Sequence, residues 1–244
     1  SWRETIPALA DAGCRVIALD LANFGLSDKS WDRDTSHARQ ADLVAALLEE
    51  RGIGAATVVG HSMGANVTAW LAARHPELVE RVVLVDAATG PAAQEGGGGP
   101  LGSLLGLPNV RRLGEVVLRN LVDEARLADI FRSAYADPAR ATPDALAGYA
   151  AALETSGWDH ALLAIVRDGA ANELEVPIGD AIRVPALVVW GREDAWIPLA
   201  AGEALRDALP GAEWRIIDDA GHLPMEEQPA AFNEILLAWL ESTR

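Results

Sequence analysis

Short apolar runs punctuate this chain, and most are separated by stretches whose apolar positions recur every three to four residues. The runs at 15–20 (RVIALD), 56–59 (ATVV), 81–86 (RVVLVD), 186–190 (ALVVW) and 213–217 (EWRII) are brief and rich in β-branched side chains, which predicts strands. Helical spacing covers 1–12, with Trp2, Ile6 and Leu9 on one stripe and Gly13 as the stop. It returns at 36–51, where Ala41, Val44, Leu47 and Leu48 face the core and Gly52 follows the end. Residues 66–75 form a third such stretch, closed by Arg74, His75 and Pro76. Two more lie at 199–209, ending at Pro210-Gly211, and at 229–240. Strands alternating with helices predict the α/β class, a mostly parallel sheet flanked by helices.

The alternation breaks in the middle. Four consecutive glycines, Gly96 to Gly99, mark a boundary. From there to about Gly179 no strand pattern occurs, while 108–121, 123–135, 143–156 and 159–169 all carry helical spacing. Four helices in a row exceed one crossover. The expected organisation is a core of residues 1–90 and 180–244, interrupted by a helical lid at 91–179.

Composition narrows the function classes. At 244 residues, half of them hydrophobic, the chain is long enough to bury one sizeable core. Twenty basic against 36 acidic residues give a net charge of −16, which argues against nucleic acid or an anionic membrane as partner. Cys14 is the only cysteine, so no internal disulfide forms and a reducing, cytoplasmic setting is expected. No apolar run approaches the roughly 18 residues of a membrane span, and no signal peptide is visible. No metal-ligand cluster stands out. The glycine run lacks the Lys-Ser/Thr of a phosphate-binding loop, so no cofactor is expected.

The candidate chemistry centres on Gly60-His61-Ser62-Met63-Gly64, between a strand and a helix. A serine on such a sharp turn is forced toward positive φ, and its hydroxyl projects above the sheet edge. Close passage of the chain calls for small residues at Gly60 and Gly64. The helix N-terminus and the free N–H of Met63 point at the place where an oxyanion would form. A serine hydroxyl needs an adjacent base. Of the five histidines, His37, His75 and His160 lie in helical stretches and read as surface or packing residues. His222 lies in DDAGHLP, directly after the last strand, where α/β sites gather. The base in turn needs a carboxylate.

These motifs resemble the α/β-hydrolases of the lid-bearing esterase, lactonase and C–C hydrolase type, over residues 1–90 and 184–244. The resemblance implies Ser62 as nucleophile, His222 as base and Asp194, in WGRED after the ALVVW strand, as acid, in the family order. Asp86 is the competing acid, because some members place theirs at the end of that strand. A serine at the elbow, not an aspartate, sets the chain apart from the dehalogenase and epoxide hydrolase branches. The implied function is cleavage of small or medium carboxylic esters through an acyl-enzyme. The alternatives are an enol-lactone hydrolase or a C–C bond hydrolase acting on a dienoate. From another class comes a ligand sensor or degenerate scaffold that does not turn over. His61, Trp158, Trp196, Ile197 and Leu223 are candidate pocket residues. A dioate product would need a cation, for which Arg167 and Arg192 are the candidates.

Two departures from the family pattern stand out. Ala22 and Asn23 replace an Arg-Gly pair in the loop after the first strand. The family's N-terminal strands and His-Gly segment, source of a second oxyanion N–H, have no counterpart. The expectation is a truncated chain, or another segment filling the gap beside the elbow strand.

Overall fold

A computed structural model of the protein describes residues 1–89, 108–168 and 174–243. The Gly96–Gly99 run and the expected start of the lid at residue 91 lie outside the described residues, whereas its expected end at Gly179 falls in a short helix. Four strands form one parallel sheet in the order β1 (Ala56–His61), β2 (Val79–Val85), β3 (Ala186–Gly191) and β4 (Glu213–Ile217). Four of the five predicted strands are therefore present. The apolar runs of the two central strands, 82–85 in β2 and 186–190 in β3, are continuous because both faces of the sheet are covered there. Val82, Leu84, Val188 and Trp190 point into one core, and Val83, Val85, Leu187 and Val189 into the other.

The first core packs the sheet against α2 (His37–Glu50) and α3 (Met63–Arg74). Ser36 caps α2, its hydroxyl accepting from Arg39 N–H at 3.4 Å. The opposite face carries α1 (Thr5–Asp11) and the C-terminal α11 (Pro229–Ser242), whose Phe232, Leu236 and Trp239 are buried. Helices α4 (Pro108–Leu121), α5 (Glu124–Arg132), α6 (Pro143–Ala150) and α7 (Trp158–Asp168) make up the helical middle of the chain. Asp123 and Thr142 cap α5 and α6 by accepting from the N–H groups of Arg126 and Ala145. The short α8 (Ile178–Ala181), α9 (Leu199–Ala208) and α10 (Pro224–Glu227) complete the fold.

The fifth predicted strand is not one. Residues 15–20 carry no regular structure, and Ile17 and Leu19 are exposed. Strand pattern alone does not make a strand; the backbone needs a neighbour to pair with. Here it borders a cavity of about 850 Å³, whose other wall is β1 with Ser62 and Gly64. Among the described residues β1 pairs only with β2, so its outer edge faces this cavity. The loop after residue 20 is ordered by its own polar groups. Asn23 takes φ +71°, accepts from Ser30 N–H at 2.9 Å and donates to Ser30 O at 2.9 Å. The left-handed conformation expected of Asn23 is present.

Candidate active site

Ser62 sits between β1 and α3 with φ +52° and ψ −119°. Such a conformation costs about 1–3 kcal/mol. It is held by backbone bonds at both ends, from Ser62 N–H to Val85 O (2.9 Å) and from Ala88 N–H to Ser62 O (3.2 Å). A Cβ on Gly60 would lie 2.3 Å from Gly64 O and 2.5 Å from Thr68 Oγ1, so glycine is required there. The crowding expected at Gly64 is not found. A Cβ on Gly64 meets nothing within 4 Å, because the residue borders the open cavity. Met63 opens α3, and the first-turn N–H groups of a helix have no intrahelical acceptor.

His222 lies on the loop leaving β4 and is buried. The loop is held from several sides. His222 N–H donates to Ala134 O at 2.7 Å, and Gly221 N–H donates to Glu227 Oε1 at 2.6 Å. Glu227 Oε2 also accepts from Ala136 N–H at 2.8 Å, and Arg140 donates to Glu227 O at 3.0 Å. Burial raises the Glu227 carboxyl above its usual range, opposed by these backbone donors. Gly221 passes so close to Ala134 O that a Cβ would lie 2.5 Å from it.

The side chain of His222 meets Asp194, with Nδ1 2.7 Å from Oδ2. Asp194 Oδ1 accepts from the N–H groups of Trp196 (2.8 Å) and Ile197 (2.9 Å), which fixes the carboxylate. With Nδ1–H donating to a carboxylate, Nε2 is the acceptor nitrogen of the neutral ring. His61 lies alongside, its ring centroid 4.7 Å from that of His222. Its Nε2–H donates to the backbone O of His222 at 2.6 Å. Burial, with the nearby His222 charge, pushes His61 down to about 3.

Asp86, the competing acid, is wholly buried at the end of β2 with φ +41°. Its Oδ1 accepts from Gly191 N–H at 2.9 Å, and it is Asp194 that contacts the His222 ring. Asp86, Asp194 and His222 hold ligand-type atoms within 4.8 Å of one another, as do Glu115, Asp159 and His160. In the second group Arg111 and Arg119 neutralise Glu115 (2.9 Å) and Asp159 (2.7 Å), making an ion network between α4 and α7.

The predicted pocket residues divide. Trp196 is 42% exposed, stands 5.1 Å from the His222 ring and donates from Nε1 to Ser133 Oγ at 3.1 Å. Leu223 is buried in the core beside His222, and the carbonyl of Ile197 accepts from Trp190 Nε1 at 3.1 Å. Trp158 is half-buried at the start of α7. Both candidate cations are engaged elsewhere. Arg192 pairs with Asp218, while Arg167 binds Asp168 and the carbonyls of Trp31 and Arg33 and stacks on Trp31.

Sequence reasoning missed Glu226 and Glu227. Glu226 accepts from Tyr135 (2.6 Å) and Tyr149 (2.5 Å), and with Glu227 it ties α10 to the helical middle of the chain. The available signal was a pair of acids four and five residues after the Gly-His, in PMEEQP.

The α/β-hydrolase fold family model matches residues 1–229. A 2-hydroxy-6-oxononadienedioate/2-hydroxy-6-oxononatrienedioate hydrolase of Paraburkholderia phymatum is 29% identical over 254 residues, covering 98% of this chain and 81% of the relative. Among solved structures, a thermophilic esterase from Thermogutta terrifontis is 25% identical with a TM-score of 0.78, over 99% of this chain and 85% of that one. A meta-cleavage product hydrolase from Pseudomonas fluorescens has a TM-score of 0.80 at 23% identity, over 100% and 85%, and shows likeness of fold. The match to the family model spans nearly the whole chain and agrees with the parallel sheet and the strained serine turn: the chain belongs to the α/β-hydrolase fold family.

Proposed function

We propose that the protein is a cofactor-free serine hydrolase that cleaves carboxylic esters through an acyl-enzyme. The observation that carries this reading is the buried His222–Asp194 pair at 2.7 Å, on the same sheet end as the strained Ser62 turn. His222 Nε2 takes the proton of Ser62 Oγ as the oxygen attacks the ester carbonyl. Asp194 holds the tautomer and stabilises the imidazolium. The oxyanion draws on the N–H of Met63 and the α3 N-terminus. Collapse of the tetrahedral species breaks the C–O bond, and His222 returns the proton to the leaving alkoxide. Water, activated by the same nitrogen, then releases the acid. Trp196 and His61, whose rings stand beside that of His222, border the acyl group together with Leu223, Ile197 and Trp158, and α4–α7 serve as the lid.

A second reading is C–C bond hydrolysis, favoured by the activity for which the Paraburkholderia relative is named. A dioate asks for a cationic pocket group, and the engagement of Arg167 and Arg192 elsewhere weighs toward the monoester. The protein and its Ser62→Ala variant are to be assayed with p-nitrophenyl butyrate and with a coloured 2-hydroxy-6-oxo-dienoate, following intact mass. Steady ester turnover lost in the variant supports the esterase. Preference for the dienoate supports the C–C hydrolase. One burst with a lasting adduct marks a sensor and overturns both.

A further inference from the structure

Two carboxyl groups share the dry space behind His222. Asp86 ends β2 and Asp194 follows β3, the adjacent strand, and Asp86 N–H donates to Val189 O at 3.0 Å. Both side chains are buried, and with His222 they lie within 4.8 Å of one another. Two carboxylates this close and this dry do not both ionise. The donors decide which one keeps the charge. Asp194 receives three, from Trp196 N, Ile197 N and His222 Nδ1. Asp86 receives one, from Gly191 N at Oδ1, and among the described residues no donor reaches its buried Oδ2.

We infer that Asp86 is held as the neutral acid and donates its Oδ2–H to the Asp194 carboxylate, acting as a positioning residue for the His222–Asp194 pair. The inference rests on the triad reading above. Burial, and then the charge of Asp194, pushes the Asp86 carboxyl well above its usual range, in keeping with this. The arrangement supplies Asp194 with a further donor. It also keeps a second negative charge away from His222, which would otherwise hold the imidazolium too tightly to return its proton.

Three measurements test it. Infrared difference spectra of the whole protein at pH 7 are expected to show a protonated-carboxyl stretch that disappears in Asp86→Asn. Asp86→Leu is expected to lower kcat roughly tenfold or more with KM little changed. Asp86→Asn is expected to rescue most of that loss, since its amide donates to Asp194 while its oxygen still accepts from Gly191. The melting temperature of Asp86→Asn should rise relative to the native protein as pH increases from 5 to 8, because only native Asp86 must keep a proton that the unfolded chain releases. Absence of the infrared band, or a pH-independent melting difference, overturns the inference even if Asp86→Leu does not fold. So does a drop of orders of magnitude in Asp86→Asn, which would make Asp86 the ionised acid. Retained turnover in Ser62→Ala sinks the triad reading instead, and leaves the infrared result to report on the proton alone.

Discussion

The imidazole of His61 donates to the backbone carbonyl of His222 at 2.6 Å, so the residue before Ser62 anchors the loop that carries the second histidine. The strained turn and the His222 loop are thereby one mechanical unit. His61→Ala should lower kcat by roughly tenfold, with His61→Gln restoring part of it, because a glutamine amide can still donate to that carbonyl. Steady-state kinetics of both variants check this. Equal loss in both would mean that the ring contact, not the hydrogen bond, matters.

Asp194→Asn should reduce turnover by about 10⁴ while circular dichroism shows the fold kept, since an amide in place of the carboxylate leaves His222 in the wrong tautomer. The acid assignment is reversed if Asp86→Asn has that effect and Asp194→Asn does not.

Two histidines make the fold sensitive to acid. Burial lowers His37 to about 4, and burial with the His222 charge lowers His61 to about 3. In the unfolded chain both titrate near 6.5, to within about a unit. Between those limits the unfolded state binds more protons, so this stability is full above about pH 6.5 and is lost as pH falls toward 4. Asp86 and Glu227, both raised, act in the opposite direction, so the comparison must be made against variants. The urea midpoint of His61→Gln should fall less between pH 7.5 and 5 than that of the native protein. Parallel midpoints would show that His61 is not held neutral.

Gly60 and Gly64 flank the same serine but differ in space. Gly60→Ala should destabilise by about 1–3 kcal/mol, because its Cβ meets backbone 2.3 Å away. Gly64→Ala should be neutral or stabilising by up to about 1 kcal/mol, since it lies in α3 with nothing within 4 Å. Thermal melts of the two variants decide, and a matched loss would mean that Gly64 is crowded in solution.

Much of this architecture was legible because local pattern and tertiary role coincide. Residues 186–190 are apolar throughout since β3 is buried on both faces, and the helix expected at 108–121 is found as Pro108–Leu121. The Gly-x-Ser-x-Gly spacing foretold the positive φ of Ser62, and the Gly-His pair after the last strand foretold a buried histidine on an acid. What escaped was whatever depends on neighbours distant in sequence. Residues 15–20 have a strand's pattern without a strand's partner. That Asp194, and not Asp86, touches the His222 ring was not legible, because both acids follow neighbouring strands. Glu227 looks like a surface acid, yet it holds Gly221 and Ala136 together across the helical middle of the chain.

The open edge of β1 carries a consequence for exchange and association. A parallel strand bonded on one side leaves alternate amides without a protein acceptor. Deuterium uptake along 56–61 should therefore be bimodal, slow where β2 accepts and fast where the amide faces the cavity. Among the described residues no strand pairs with that edge, and an unpaired edge beside apolar walls is a template for an extended polypeptide. Slower uptake at the fast amides when an extended peptide is added would show that this edge, and not the apolar walls alone, is what pairs.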